Sequence, residues 1–396
     1  MVPNGWKVLP LSEITKEKIS YGIVQAGPHV EGGIPYIKSA DVGGDIDVQK
    51  LQKTAPEIHH KYRRSAVHPN DIVFSLRGNI ARTSIVPSDL PEANLTQGTA
   101  RISVNDKNDT KFVYYKLAST SILNRINSLS KGSTFKEISL EELRKVKLPL
   151  PPLSEQRKIA KILSTWDKAI STTEKLIETS KQQKKALMQQ LLTGKKRLVN
   201  PETGKAFEGE WKEVTVDDTC IVGRGRVISK IEISDNQGMY PVYSSQTLNN
   251  GIMGCIGTYD FEGEYVTWTT DGVNAGTVFF RSGKFNCTNV CGTLKPKDIK
   301  SLDTKYLALA LSLETFKYVS HTLANPKLMN GVMKTVLFRM PLFSEQQKIS
   351  SVLTAADKEI EILTAKLAHF KQEKKALMQQ LLTGKRRVKI EEMEVA

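Results

Sequence analysis

The chain has 396 residues, 39% hydrophobic and 25% charged, which is too long for one small domain and too apolar for wholesale disorder, so two domains with real cores are expected. A formal net charge of +15 and a pI near 9.4 point to a polyanionic partner, nucleic acid first, over the plainer reading of a lysine-rich surface. No stretch reaches the ~20 apolar residues of a membrane span, and the opening MVPNGWKVLP lacks a signal-peptide core; a cytoplasmic protein with no membrane contact is expected.

In chain order, GWKVLPLSEI sets Trp6-Lys7 before a short strand-like run. Strand candidates follow in IPYIKSADV, DIVFSLRG, TSIVPS and TARISV, separated by Gly, Asn, Asp and Pro. The pattern then predicts a helix over residues 110–129, TKFVYYKLASTSILNRINSL, and a second in SLEELRKVKL, where Ser139 and Glu142 have capping-box spacing. After the Pro-rich LPLPPL, Ser154 is the expected N-cap of a long helix. Its apolar seam alternates in steps of four and three through Ile159, Leu163, Trp166, Ile170, Thr173, Ile177, Ser180, Lys184, Leu187 and Leu191, and Gly194 is placed to end it. Thr173, Ser180 and Lys184 are poor seam residues.

Residues 199–210, VNPETGKAFEGE, read as a linker. The second half opens on EWKEVTVDDT, again Trp-Lys before a strand-like run, and continues with MYPVYSSQT, EYVTWTT, GTVFFRSG and CGTLKP as strand candidates. A helix is predicted over residues 304–323, TKYLALALSLETFKYVSHTL. Ser344 then caps a second long helix with the seam Ile349, Leu353, Ala356, Ile360, Leu363, Leu367, Phe370, Lys374, Leu377 and Leu381, closed by Gly384. KKALMQQLLTGK occurs in both helices, at Lys184 and again at Lys374, and the two segments align without a gap from Ser154 and Ser344 onward. Two ~38-residue helices, ~57 Å each, in one chain are expected to pair with each other, antiparallel. Strands first and helices after in both halves give the α+β class.

Binding residues are sought in the loops, because Arg, Asn and Gln read base edges and Arg and Lys hold phosphates. The first half offers Lys61, Tyr62, Arg63 and Arg64 in IHHKYRRSAVH, and Arg77, Asn79 and Arg82 in SLRGNIARTS. The second offers Arg224, Arg226 and Lys230 in VGRGRVISK, Gln246, Asn249 and Asn250 in YSSQTLNNG, and Thr270, Asp271 and Asn274 in TWTTDGVNAG. Each is equally readable as a solvated surface or turn residue. His59 and His60 read as surface loop residues. No phosphate-binding GxxxxGK[ST], dinucleotide fingerprint or amino-methyltransferase Asn-Pro motif is present. Cys220, Cys255, Cys287 and Cys291 match no zinc spacing and read as free thiols in a reducing compartment. A binding protein with no catalytic residue, metal or cofactor of its own is expected.

One run, GSTFKEISLEELRKVKLPLPPLSEQRKIAKIL, echoed by GVMKTVLFRMPLFSEQQKISSVL, resembles the end of a target recognition domain entering the conserved helix of type I restriction–modification specificity subunits. YPVYSSQTLNNGIMG and TTDGVNAGTVFFRSGKFNCTNVCGTL are similar to recognition domains of that family. The second copy departs by losing a proline (RMPLFSEQ for LPLPPLSEQ) and by Ala356 where the first has Trp166. The resemblance implies two mixed target recognition domains, residues 1–153 and 211–343, and conserved spacer helices, residues 154–198 and 344–388, flanking the linker. It implies a non-catalytic subunit whose domains each read half of a split target in double-stranded DNA. The partners implied are two methyltransferase (modification) subunits docked on the helices and a motor-nuclease (restriction) subunit. A helix-paired protein scaffold with little DNA binding is the competing reading.

Overall fold

The computed structural model describes residues 3–132, 136–321 and 325–390. It divides into two units: one runs up to Glu174 and resumes from Ala365, the other spans Lys175–Thr364. The long helices, Leu153–Leu191 and Phe343–Leu381, therefore contribute to both units.

In the first unit, strands Ser20–Tyr21, Thr99–Ile102, Ile72–Ser75 and Thr83–Ile85 form an antiparallel sheet in that order. A second sheet sets Ile34–Ile37 between Gln52–Thr54 and, in parallel, Asn94–Leu95. Lys7–Pro10 pairs with Lys147–Leu150 in a two-stranded ribbon. The other unit repeats this plan. Its antiparallel sheet runs Cys220–Arg224, Cys291–Pro296, Tyr265–Thr269, Val278–Arg281. Its second sheet pairs Gln237–Tyr243 with Ile252–Ile256 and, in parallel, with Lys284–Cys287, which also carries Phe261–Glu262. Its ribbon is Lys212–Thr215 with Leu337–Met340. Each predicted strand run holds a strand, while Ser20–Tyr21, Gln52–Thr54, Asn94–Leu95, Cys220–Arg224, Ile252–Ile256, Phe261–Glu262 and Lys284–Cys287 are strands the sequence did not single out, and the mixed α+β class follows.

Each main sheet is sealed by helices. Phe74, Phe112, Leu143, Ile159 and Leu163 share one core with Leu381 and Leu382. Trp268, Tyr306, Phe338, Ile349 and Leu353 share the other with Leu191 and Leu192. At ~1.5–3 kcal/mol per fully buried large side chain, these contacts fix each helix end to its sheet. Trp268 lies opposite Gly292, where a Cβ would come within 2.1 Å of the indole, so only glycine fits there.

The predicted helix over residues 110–129 is two, Thr110–Leu117 and Thr120–Leu129. Ser119 between them is extended, and its hydroxyl donates to the Lys116 carbonyl. The predicted helix over residues 304–323 ends at Glu314 and continues as a 3-10 turn, Thr315–Tyr318; Thr322 and Leu323 lie outside the described residues, as do Ser133, Thr134 and Phe135 of the GSTFKE run. Neither Ser154 nor Ser344 is an N-cap. The helices start one residue earlier, and the amides of Gln156 and Gln346 already bond the carbonyls of Pro152 and Leu342. Gly194 and Gly384 do end them, with φ of 72° and 70°.

The Ser-Glu-Gln that opens each long helix is structural. Gln156 accepts from the Asp109 amide (2.9 Å) and donates to Asn108 and Pro151. Gln346 does the same at Asp303, Ser301 and Pro341. Asp109 and Asp303 in turn cap the helices beginning at Thr110 and Thr304. Glu155 and Glu345 are 1% and 0% exposed, and each takes a two-pronged ion pair, from Arg387 (2.7 Å on both oxygens) and from Arg197 (2.7 and 2.8 Å).

All fourteen apolar residues expected to pair the helices are buried or half-buried: Ile159, Leu163, Trp166, Ile170, Ile177, Leu187, Leu191, Ile349, Leu353, Ile360, Leu363, Leu367, Leu377 and Leu381. The lysines that spoil the seam have acidic partners on the other helix: Lys374 with Asp167 in one unit, Lys184 with Asp357 (2.5 Å) in the other. Trp166 meets Phe370 edge-on, ring centres 5.6 Å apart.

Candidate nucleic-acid interface

In both units one turn crosses the end of the main sheet, joining Ile72–Ser75 to Thr83–Ile85 and Tyr265–Thr269 to Val278–Arg281. The two turns are built by matching backbone bonds. The amides of Ala81 and Gly276 bond the carbonyls of Ser75 and Thr269; those of Arg82 and Thr277 bond Asn79 and Asn274. Ala81 and Gly276 both have positive φ, 65° and 84°. Asn79 and Asn274, picked independently from the sequence, thus hold the same place, with one extra residue, Val273, in the second turn. Val273 is 94% exposed. Arg77 and Asp271 are equivalent too: each bridges an outer strand-like segment, at Glu137 and Lys327, which itself pairs with Lys131 and Ser320.

The first turn opens onto a cavity of about 630 Å³, lined by Arg77, Lys38, Ser39, Gln97 and Lys136. Arg77 donates to the Gln97 carbonyl at 3.4 Å and lies 4.0 Å from Glu137. Arg82 is exposed and its stem lies along Gly43. Lys61, Tyr62, Arg63 and Arg64 sit apart from this turn, at the end of helix Pro56–Lys61 and in the 3-10 turn after it. There Lys61 lies over the Tyr62 ring, and Arg64 borders a cavity of about 450 Å³ with Lys18, Tyr21 and Arg144. Lys38, Gln97 and Lys136 were missed by sequence reasoning: no sequence pattern links them, and only the fold gathers them beside Arg77.

In the second unit, Arg224 and Arg226 border the loop that joins Lys284–Cys287 to Cys291–Pro296: Arg226 bridges Thr288 and the Arg224 side chain donates to the Asn289 carbonyl at 2.5 Å. Arg226 is held by Glu232 (2.7 Å) and Asp260 (3.0 Å); the hydrogen bond it donates to Glu232 raises its pKa, so its charge is already answered within the unit. Lys230 opens the exposed helix Lys230–Asp235. Gln246, Asn249 and Asn250 lie in a separate loop, the two asparagines left-handed at φ 48° and 51°, while the Gln246 side chain donates to the Ile252 carbonyl.

Two expectations need correction. Thr270 is fully buried beneath the turn, because its place is the sheet end itself, so it presents no hydroxyl to a ligand. His59 is buried, its ring bonded to Asn94 (Nδ1 to Nδ2, 3.0 Å) and 3.4 Å from Glu92, because helix Pro56–Lys61 packs that face inward; His60 is exposed. Cys220, Cys255, Cys287 and Cys291 are free thiols. Among the described residues no cluster of three or more His, Cys, Asp or Glu could hold a metal, and no helix is long and apolar enough to cross a membrane.

The family model described as the type I restriction modification DNA specificity domain matches residues 3–181 and 208–372. The chain belongs to the type I DNA specificity family. It is a DNA sequence-specificity subunit of a type I restriction–modification system. A Mycoplasma pneumoniae sequence assigned as the N-terminal part of a type I specificity subunit is 47% identical over 142 residues, 36% of this chain and 75% of that one. The specificity subunit of the MpnII type I restriction enzyme from the same organism is 42% identical over 164 residues, 41% of this chain and 49% of that one. Among solved structures, the fold is shared with the type I system S subunit from M. genitalium (TM-score 0.65, 16% identity, 96% of this chain and 97% of that one). It is also shared with the HsdS subunit from Thermoanaerobacter tengcongensis (TM-score 0.51, 17% identity, 97% and 98%). The two stretches matched by the specificity-domain model fall on the two repeats of the sheet plan.

Proposed function

We propose that this specificity subunit reads a split target in double-stranded DNA, one half-site per recognition domain, residues 1–153 and 211–343. The observation that carries the reading is the equivalent turn at the end of each main sheet, the same backbone bearing different side chains: one scaffold presents two different reading surfaces. The net charge of +15 supplies the phosphate affinity such a reader needs. Reading residues are proposed among Arg77, Asn79, Arg82, Lys61, Tyr62, Arg63 and Arg64 in the first domain. In the second they are proposed among Arg224, Lys230, Gln246, Asn249, Asn250 and Asn274, with Arg226 holding its own loop.

The long helices, residues 154–198 and 344–388, act as an antiparallel coiled coil that sets the half-site spacing. The reciprocal Lys184–Asp357 and Lys374–Asp167 pairs support that register, since each half-buried lysine near the end of one helix meets an aspartate near the start of the other. Two methyltransferase subunits dock on the helices and carry the modification chemistry, and a motor-nuclease subunit joins for cleavage; this chain itself catalyses nothing. The test is to purify the chain with its methyltransferase partner and map protected and methylated bases. Two short tracts separated by an unread gap are expected, with binding that weakens steeply in salt. One contiguous tract ends the split-target reading, and salt-independent binding favours a protein scaffold.

A further inference from the structure

The equivalent turns carry opposite charge at one position. In the first unit Arg77 faces Glu137 at 4.0 Å; in the other Asp271 faces Lys327 at 3.9 Å. The backbone around both is the same. Ile138 and Leu328 donate to the carbonyls of Leu76 and Thr270, and Glu137 and Lys327 exchange paired bonds with Lys131 and Ser320. The ion pair has been inverted end for end on a fixed frame.

Neither pair is a structural clamp. Both are stretched and part-exposed, with side chains 42% and 53% exposed in one and 30% and 37% in the other, a geometry that holds weakly and exchanges readily. Compare Arg197 on Glu345, at 2.7 Å with the carboxylate buried. The Arg77 side chain makes a long hydrogen bond, 3.4 Å from its terminal nitrogen to the Gln97 carbonyl, and among the described residues its buried Nε has no hydrogen-bond partner, so the 42% exposed guanidinium is loosely held beside a cavity also lined by Lys38 and Gln97. At the equivalent position proposed to face DNA, Asp271 is a carboxylate, which repels phosphate. It gains only from a donor, and the donors that DNA offers in the major groove are the exocyclic amines of cytosine and adenine.

Resting on the split-target reading above, we propose that this position is a base-reading determinant in both domains. Arg77 donates to the O6/N7 edge of a guanine in one half-site, and Asp271 accepts from the exocyclic amine of a cytosine in the other. Glu137 and Lys327 hold the reading side chain in place until DNA arrives and release it to the base edge. The inverted pair lets one backbone frame read the two members of a G·C pair in opposite orientation.

The test exchanges the pairs in the chain assembled with its methyltransferase partner: Arg77→Asp with Glu137→Lys, and Asp271→Arg with Lys327→Glu. Methylated sites are then sequenced from a randomised DNA library. Each exchange is expected to change preference at one base pair of one half-site, by roughly 5- to 150-fold, and to leave the other half-site as it was. The milder Arg77→Lys and Asp271→Asn keep side-chain size and decide the matter if an exchanged protein does not fold; each is expected to relax discrimination at that same base pair. Variants that methylate the unchanged sequence with unchanged discrimination at every position overturn the proposal. A wild-type complex that shows no split, sequence-specific methylation overturns the underlying reading, and that result is visible before any variant is made.

Discussion

Replacing Arg197 by methionine removes both prongs from the Glu345 carboxylate and leaves it fully buried and unanswered. Arg197 also ties down the chain after the first long helix, donating to the Gly209 carbonyl at 3.0 Å and lying over the Trp211 ring. Breaking a buried pair by removing one partner costs ~3–5 kcal/mol, chiefly the penalty of the stranded charge. With the arginine side chain only 24% exposed, solvent offers little relief, and Arg197→Met is expected to fall within that range. For a unit of this size that is a melting shift of roughly 6–20 °C. Arg197→Met with Glu345→Gln removes the stranded charge and should recover at least half of the loss. The assay is urea unfolding followed by tryptophan fluorescence, since Trp211 and Trp268 report on that unit, with hydrogen exchange to localise the effect. A loss below ~1 kcal/mol, or a double variant no better than the single, refutes the argument and makes the pair an ordinary surface bridge.

Three further outcomes follow from named contacts. Lys116 is 2% exposed and donates to the Leu382 carbonyl, and burial pushes its pKa down to about 8. Its folded pKa lies below the unfolded value of ~10.4, so the unfolded chain binds more protons between the two. Its contribution to stability should therefore rise with pH, by about 2 kcal/mol from pH 7.5 to 10; urea midpoints of Lys116→Met should lack that rise, and identical pH slopes would discard the assignment. Gly384→Ala should cost more than Gly194→Ala. Both glycines are left-handed, worth ~1–2 kcal/mol, but a Cβ at Gly384 would lie 2.3 Å from Pro3, whereas at Gly194 the nearest atoms are at 3.5 Å; equal melting shifts would contradict this. Leu367→Asp puts a charge into the helix seam and should cost up to ~3 kcal/mol, while Lys366→Asp on the exposed side stays within ~0.5; faster amide exchange in both long helices for Leu367→Asp alone is the check.

Local patterns made the long helices and most main-sheet strands legible, but not Ser20–Tyr21, Cys220–Arg224 or the helix Pro56–Lys61. The four-three seam places its buried residues correctly because helix periodicity is written in adjacent turns. The two ribbons were not legible: Lys7–Pro10 meets Lys147–Leu150, and nothing near either segment names the other. For the same reason the Ser of Ser-Glu-Gln reads as a cap, although its Glu and Gln do the anchoring, through Arg387 and Asp109, far along the chain. His59 reads as exposed because it sits in a polar run, and packing alone turns it inward. Asn79 and Asn274 were found separately, but the likeness of their turns is hidden in sequence by the extra Val273 and by the reversal of charge from Arg77 to Asp271.

The first unit draws its core from both sides of the chain, with Leu381 and Leu382 packed beside Phe112 and Ile159, whereas the other unit is one uninterrupted stretch. Synthesis imposes an order on this. When Glu174 leaves the ribosome, the apolar groove for Leu381 and Leu382 is formed by its other members and still vacant, and it stays so for some 200 further residues, roughly 10–40 s at ~5–20 residues per second. The intervening unit holds all of its own core residues by then. The domain begun first is completed last, and through that interval the core that Leu381 and Leu382 complete lacks both of them.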